Sequence, residues 1–178
     1  VVSAGAGTLV LAGGVTGDRQ ISKTGAGRLT LGGASAVPVD LRAGVLDVSD
    51  GVAAGQVAVT GGRISADTAA GKVTGPVKLM APMTVSTAKA LELAGEVSGG
   101  EPLTLGDGTL RLSHANTYTA GTELKGGRLE LADGATTGSG ALAISGGTLA
   151  SAGTVESEVT GPVELTTNPT FDTAGPLR

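Results

Sequence analysis

The stretch GAGRLTL at residues 25–31 repeats the stretch GAGTLVL at residues 5–11. The same glycine-rich turn followed by spaced leucines returns as GDGTLRL at residues 106–112, GGRLEL at 126–131 and GGTLA at 146–150. In each copy the leucines alternate with other residues, as in a strand that buries one side. A regular interval of about 20 residues between copies predicts a parallel coil in which each strand stacks on the strand one turn before it.

The composition agrees with a narrow coil. The chain of 178 residues contains 32 Gly and no Trp or Cys, with a single Phe and a single Tyr. A compact core normally fills its volume with aromatic rings, so this core must be built from small aliphatic side chains. No helical stripe of apolar residues separates the strands. We therefore expect an all-β protein, a parallel β-helix of about eight rungs with essentially no helix.

A longer period overlies the short one. The segment LVLAG at residues 9–13 returns as LELAG at 91–95, and LDVSDG at residues 46–51 returns as LELADG at 129–134. The segment VTGPVKL at residues 73–79 returns as VTGPVEL at 159–165, after a slightly longer interval. Small insertions in turns would produce this drift. The pattern predicts two diverged modules, residues 1–85 and 86–178, which together form one continuous solenoid.

The second module resembles a known repeat family. Residues 106–132 read GDGTLRLSHANTYTAGTELKGGRLELA, which is similar to the autotransporter-associated β-strand repeat. The most specific part is ANTYTAGT at residues 115–122. Its equivalent in the first module, ASAVPV at residues 34–39, departs from the pattern. We therefore interpret the first module as a degenerate copy and the second as a clear one.

The resemblance implies a biological setting as well as a fold. It implies a right-handed β-helix in the passenger of a type V secreted protein, at the cell surface of a Gram-negative bacterium or secreted from it. The partner it implies is a C-terminal outer-membrane β-barrel translocator of the same polypeptide, which we expect outside this segment. The function it implies is a structural stalk, without enzymatic activity, that supports export, folding and display.

Two other functions remain open at this stage. The chain could be an adhesin whose faces bind host or bacterial surfaces or associate with one another. It could also be a polysaccharide-active enzyme, which we consider the weaker alternative. The open edges of the first and last rungs predict end-to-end self-association of the fragment. Nucleic acid is not an expected partner, because the 12 basic residues are scattered singly and the net charge is −4.

Candidate residues for catalysis or metal binding are few. His114 is the only histidine, so no histidine pair can hold a metal, and with Ser113 beside it we interpret it as a solvent-facing turn residue. Asp107 and Asp133 stand beside glycines, which is typical of turns. A calcium-binding β-helix would need consecutive units of its nonapeptide, and the sequence has none. We predict no catalytic, cofactor-binding or metal-binding residue.

A pair of carboxylates can cleave a glycosidic bond, so the acidic residues are also candidates for a catalytic site. Sugar sites usually add aromatic platforms, and only Tyr118 and Phe171 are available. We therefore interpret the acidic residues as a solvated outer face and Tyr118 as the cover of a corner. Pro76 and Pro162 occupy matching TGPV turns. The carboxylates considered are Asp47, Glu123, Glu130, Glu156 and Glu158.

Overall fold

Short parallel strands account for about 51% of the chain. The structure is a computed structural model that describes residues 2, 3 and 5–178, with side chains from residue 5 onward. No helix occurs in this part of the chain. The strands are β1 (Val2–Ser3), β2 (Thr8–Leu11), β3 (Ile21–Thr24), β4 (Arg28–Leu31), β5 (Gly33–Ser35), β6 (Val39–Leu41), β7 (Val45–Asp47), β8 (Gly51–Ala53), β9 (Val57–Val59), β10 (Arg63–Ser65), β11 (Gly71–Val73), β12 (Val77–Leu79), β13 (Met83–Leu93), β14 (Val97–Gly99), β15 (Leu103–Leu112), β16 (Thr122–Leu124), β17 (Arg128–Ala132), β18 (Leu142–Ile144), β19 (Thr148–Ala152), β20 (Val163–Leu165) and β21 (Thr170–Thr173).

The strands stack into three faces that run along the coil. Face A contains β1, β3, β6, β9, β12 and β14. Face B contains β2, β4, β7, β10, the first part of β13, the first part of β15, β16, β18 and β20. Face C contains β5, β8, β11, the second parts of β13 and β15, β17, β19 and β21. From β3 to β15 the chain visits faces A, B and C in order, and from β16 onward its strands lie on faces B and C only. The strands pair in parallel with strands of the neighbouring turns.

A column of aliphatic residues on face B shows the stacking most clearly. Its positions follow one another turn by turn, and the interval from Leu29 to Leu46 is shorter than the interval from Ile64 to Val85. The side chains point into the coil and, from the second to the eighth position, are fully buried. The column consists of Leu9, Leu29, Leu46, Ile64, Val85, Leu105, Leu124, Ile144 and Leu165.

Glycine allows the tight corners between faces. Gly44 and Gly62 lie at the same corner on successive turns, with φ angles of 73° and 82°. A Cβ atom on Gly62 would lie 2.6 Å from the carbonyl oxygen of Gly44. A larger residue would therefore be strained in its backbone and would also clash with the turn beneath it. The stacking of corners therefore requires glycine at these two positions.

The parallel β-solenoid of about eight turns without helix is confirmed. The right hand of the coil and the division at residue 85 remain predictions. The pairing adds one unexpected fact about the repeated motif. The copies at residues 5–11 and 25–31 end in paired strands of face B, whereas the copies at 106–112, 126–131 and 146–150 end in paired strands of face C.

The long period shows the same displacement. Residues 9–11 lie on face B, but their counterparts 91–93 lie on face C. Strand β12 lies on face A, but its counterpart β20 lies on face B. The long period therefore equals four turns plus about one face. Matching segments of the two predicted modules do not lie above one another.

Candidate functional surfaces

The ANTYTAGT motif forms a corner that links three successive turns. The side-chain oxygen Oδ1 of Asn116 accepts a hydrogen bond of 2.8 Å from the backbone N–H of Val97 in the preceding turn. Its Nδ2 donates a bond of 2.7 Å to the carbonyl oxygen of Thr136 in the next turn. Asn116 thus takes the place of a backbone peptide in the ladder of face A. Its exposed fraction is 6%, so this amide is a structural group.

Tyr118 lies inside the same corner. Its ring is fully buried, and its hydroxyl group lies 2.5 Å from Oγ1 of Thr122. Burial raises the pKa of the Tyr118 phenol well above its ordinary value, against a smaller opposing effect of the bond to Thr122. Gly138 packs on the ring, and a Cβ atom there would lie 3.1 Å from two ring carbons. The only tyrosine therefore fills the core and offers no surface to a ligand.

The single histidine and two of the turn aspartates lie at corners. His114 is exposed, and its Nδ1 lies 2.9 Å from the carbonyl oxygen of Ala115. Asp107 accepts a bond of 2.7 Å from the N–H of Gly108, and Asp133 accepts one of 3.0 Å from the N–H of Thr154. These hydrogen bonds stabilise the local conformation of the turns. Within the described residues no group of three or more His, Cys, Asp or Glu side chains comes together.

The carboxylates considered for sugar chemistry are spread over different places. Glu130 pairs with Arg111 and Arg128 on face C, and Glu123 pairs with Lys125 after β16 on face B. Glu158 pairs with Arg178 near the last turn, and Glu156 is exposed. The structure does not bring these groups together into a facing pair. The predicted solvated face is wrong for Asp47, which is only 2% exposed.

Asp47 is buried in an ion-pair cluster on face B. The Arg28 guanidinium donates bonds of 2.7 Å to Asp47 and 2.5 Å to Asp67, and thereby joins three successive turns. Ser49 donates both its N–H and its hydroxyl to Asp47. Burial alone would raise the pKa of Asp47, but these donors outweigh it and hold the pKa below its ordinary value. The cluster therefore links three successive turns through a buried carboxylate.

Lys23 occupies an interior position that the sequence motifs did not indicate. Its Nζ donates to the carbonyl oxygens of Thr24, Gly25 and Ala43, at 2.9, 2.7 and 3.0 Å. Burial lowers the pKa of this lysine. Three carbonyl oxygens accept from the ammonium group, as many as it has N–H donors, so the side chain ties a corner. The alternation in ISKT, with Ile21 and Lys23 on one side, was the available signal.

Charged residues of alternating sign line face C. Lys72 pairs with Glu92 at 3.0 Å in the next turn. Arg111 lies one turn beyond Glu92 and pairs with Glu130 at 2.6 Å. Arg128 then joins Glu130 to Asp172. These side chains are partly exposed and satisfy one another. We call this row of ion pairs the ladder of face C. It leaves few unpaired charged side chains on this face.

The comparisons with known proteins support one family. The model of the passenger-associated-transport-repeat matches residues 21–52 and 105–131, so each predicted module contains a match. Neither the curated proteins nor the solved structures gave a match. Within the described part of the chain, no helix is long and apolar enough to cross a membrane. The family model confirms the predicted resemblance: within one parallel β-solenoid, two segments of the chain are similar to the passenger-associated-transport-repeat, which matches an autotransporter passenger repeat.

Proposed function

We propose that this chain is a non-enzymatic stalk segment of an autotransporter passenger, which supports export, folding and display of the polypeptide that contains it. The proposal places it at the surface of a Gram-negative bacterium or in its secretions. It also includes a C-terminal translocator in the same polypeptide. The observation that carries the proposal is the pair of passenger-associated-transport repeats inside a regular solenoid.

Pairing between successive turns gives the proposal its physical basis. Each strand bonds to the strands one turn before and one turn after it, and the interior columns run without a break from one turn to the next. A chain that leaves a pore unfolded can therefore add one turn at a time to the turns already formed. The repeat corner contributes directly, because Asn116 bonds to both the preceding and the following turn.

The experiment compares two deletions that each remove two whole turns from the parent protein. Deleting residues 105–143 joins Ile144 to the position of Leu105 on face B and removes the second matched repeat. Deleting residues 64–104 joins Leu105 to the position of Ile64 and leaves both matched repeats in place. Both deletions preserve the register of the column on face B. Surface display is then measured by antibody labelling of intact cells.

The two deletions separate export from simple length. If the stalk uses its repeats for export, we expect a clear loss of surface display for the deletion of 105–143. We expect near-normal surface display for the deletion of 64–104. Equal display of both deletion proteins would contradict the export role of the repeat. An equal loss in both would indicate that any shortening harms the passenger, and the repeat would then have no special part.

A second candidate function, adhesion, draws support from an uneven charge distribution. Residues 1–85 contain seven basic and five acidic residues, whereas residues 86–178 contain five basic and eleven acidic residues. Glu156 and Glu164 are exposed in the acidic part and form no ion pair within the described residues. An acidic outer surface suits a basic partner. Binding of the purified chain to cells, lost in high salt, would favour adhesion, whereas an inert chain would favour the stalk.

A further inference from the structure

One corner of the solenoid contains a stretch that no hydrogen bond of the described chain holds. Between β2 and β3 the chain runs through residues 12–20 without a strand. Val15 is the last residue held there, since its N–H donates to Ser35 and its carbonyl oxygen accepts from Ala36. The next bond is donated by Ile21 to Pro38. Residues 16–20 make no hydrogen bond to the described part of the chain.

This corner projects into solvent. The side chain of Arg19 is 95% exposed and that of Asp18 is 92% exposed. A Cβ atom built on Gly17 would meet no atom within 4 Å. The φ angle of Gly17 is 135°, a conformation that other residues rarely adopt. The segment therefore has both open space around it and a residue that tolerates many backbone conformations.

Arg19 is the exception among the basic residues of the chain. The chain contains 12 lysines and arginines, and eight of the other eleven lie in paired strands. The remaining three donate their backbone N–H to a neighbouring turn, namely Arg42 to Lys23, Lys125 to Leu105 and Arg178 to Ser157. Arg19 alone combines full exposure with a backbone that no neighbouring described turn holds.

We propose that the Arg19–Gln20 peptide bond is a processing site for an arginine-specific endopeptidase of the trypsin type. Such an enzyme binds its substrate as an extended segment through main-chain hydrogen bonds, which requires backbone groups that are not already paired. A carboxylate at the base of its specificity pocket selects the arginine side chain. Only residues 16–20 offer an arginine with these properties without opening of the solenoid.

The reaction is a simple hydrolysis. The bond between the carbonyl carbon of Arg19 and the nitrogen of Gln20 breaks, with water as the second reactant. Water supplies a hydroxyl group to the new carboxyl group of Arg19 and a proton to the new amino group of Gln20. The strands from β3 onward keep their pairing with one another, because the bond donated by Ile21 to Pro38 lies beyond the cut. Cleavage at this bond does not depend on the export role of the repeats.

The test is limited digestion of the folded 178-residue chain with trypsin, followed by mass spectrometry of the first products. The expected first product begins at Gln20. In Arg19→Gln the rate of the first cleavage should fall about tenfold or more, because the other sites require local opening. Arg42→Gln is the matched control: the Arg42 side chain is 61% exposed, but its N–H is bonded to Lys23.

Two results would overturn the proposal. One is a first cut after any other basic residue. The other is an unchanged rate in Arg19→Gln, and circular dichroism must show the same fold for this variant so that a general loosening is recognised. A normal rate in Arg42→Gln together with a slow rate in Arg19→Gln supports the site.

Discussion

The two halves of the solenoid differ in the size of the interior side chains that each face carries. In the first half the interior of face C is narrow, since Gly51 pairs with Gly33 and the next column holds Ser35 and Ala53. In the second half that column holds large residues, including Leu93, Leu112 and Leu131. Face A carries buried Val39, Val57 and Val77 in the first half. Its last strand is β14, and beyond it the corner segments bury both polar Asn116 and the large ring of Tyr118.

The difference shows that the repeated motif is not tied to one face of the coil. Each face offers strands that pair in parallel above and below, so the same motif can be built on more than one face. The repeat lies one face further on in the second half, and face C gains large side chains there.

The largest expected effect comes from giving the first half the bulk of the second. In Gly51→Leu the new Cβ atom would lie 2.1 Å from the carbonyl oxygen of Leu31. We expect a loss of about 4 kcal/mol or more in the free energy of unfolding, because backbone of the neighbouring turn must shift. Urea unfolding measures it. Val52→Leu, at an exposed neighbour, is the control, and a Gly51→Leu protein as stable as this control would refute the narrow face.

The reciprocal change removes bulk from the second half. Leu110 is fully buried between Leu91 and Leu129 on face C, so Leu110→Ala should leave a cavity and cost about 3 kcal/mol. Leu9→Ala makes the same change where the leucine is 39% exposed, and it should cost less than about 1 kcal/mol. Equal losses in the two variants, measured by urea unfolding, would show that face C is not packed in the second half.

The charged clusters of the two halves should differ in strength and in pH dependence. Arg28→Gln leaves the buried Asp47 with Ser49 and a long bond of 3.4 Å from Thr30, and it should cost about 2 kcal/mol at pH 7. Arg111→Gln, in the more exposed ladder, should cost about 0.5 kcal/mol. Thermal unfolding at several pH values measures both.

The direction with pH follows from the lowered pKa of Asp47. A lowered folded-state pKa adds stability above the ordinary value of about 3.9, and that stability is lost as the pH falls through the folded-state pKa. The difference between the native chain and Arg28→Gln should therefore shrink below about pH 4. A difference that stays constant down to about pH 2 would argue against an ionised Asp47 as the origin.

A smaller effect than that of Arg28→Gln is expected at the polar corner of the second half. Tyr118→Phe removes the hydroxyl that contacts Thr122 and should cost about 1 kcal/mol. Since burial raises the pKa of the phenol, the cost should not change between about pH 5 and about pH 9. In a double-mutant cycle, the variant with both Tyr118→Phe and Thr122→Val should lose less stability than the sum of the two single variants, because each single change removes the same interaction. Full additivity would mean that the contact contributes nothing.

Much of the fold was predictable from local patterns. Alternating leucines identified the interior positions, as the buried Leu29, Leu110 and Leu129 show. The displacement by one face was not predictable, because the turns differ in length and the short motif does not show which corner has lengthened. The burial of Asp47 was missed for a similar reason. Its partners Arg28 and Asp67 lie one turn before it and one turn after it, and only the stacking makes them neighbours.

The amino-acid sequence by itself determined that this protein coils, because strand-length alternation and a glycine-rich turn about every 20 residues permit parallel stacking and little else. It also determined the similarity to the passenger-associated-transport-repeat, which depends on residue order. The tertiary structure alone decided which face each copy occupies, and with it the burial of the Asp47 cluster and the exposure of Arg19. These properties depend on the summed lengths of the corners, so they exist only once the turns are stacked.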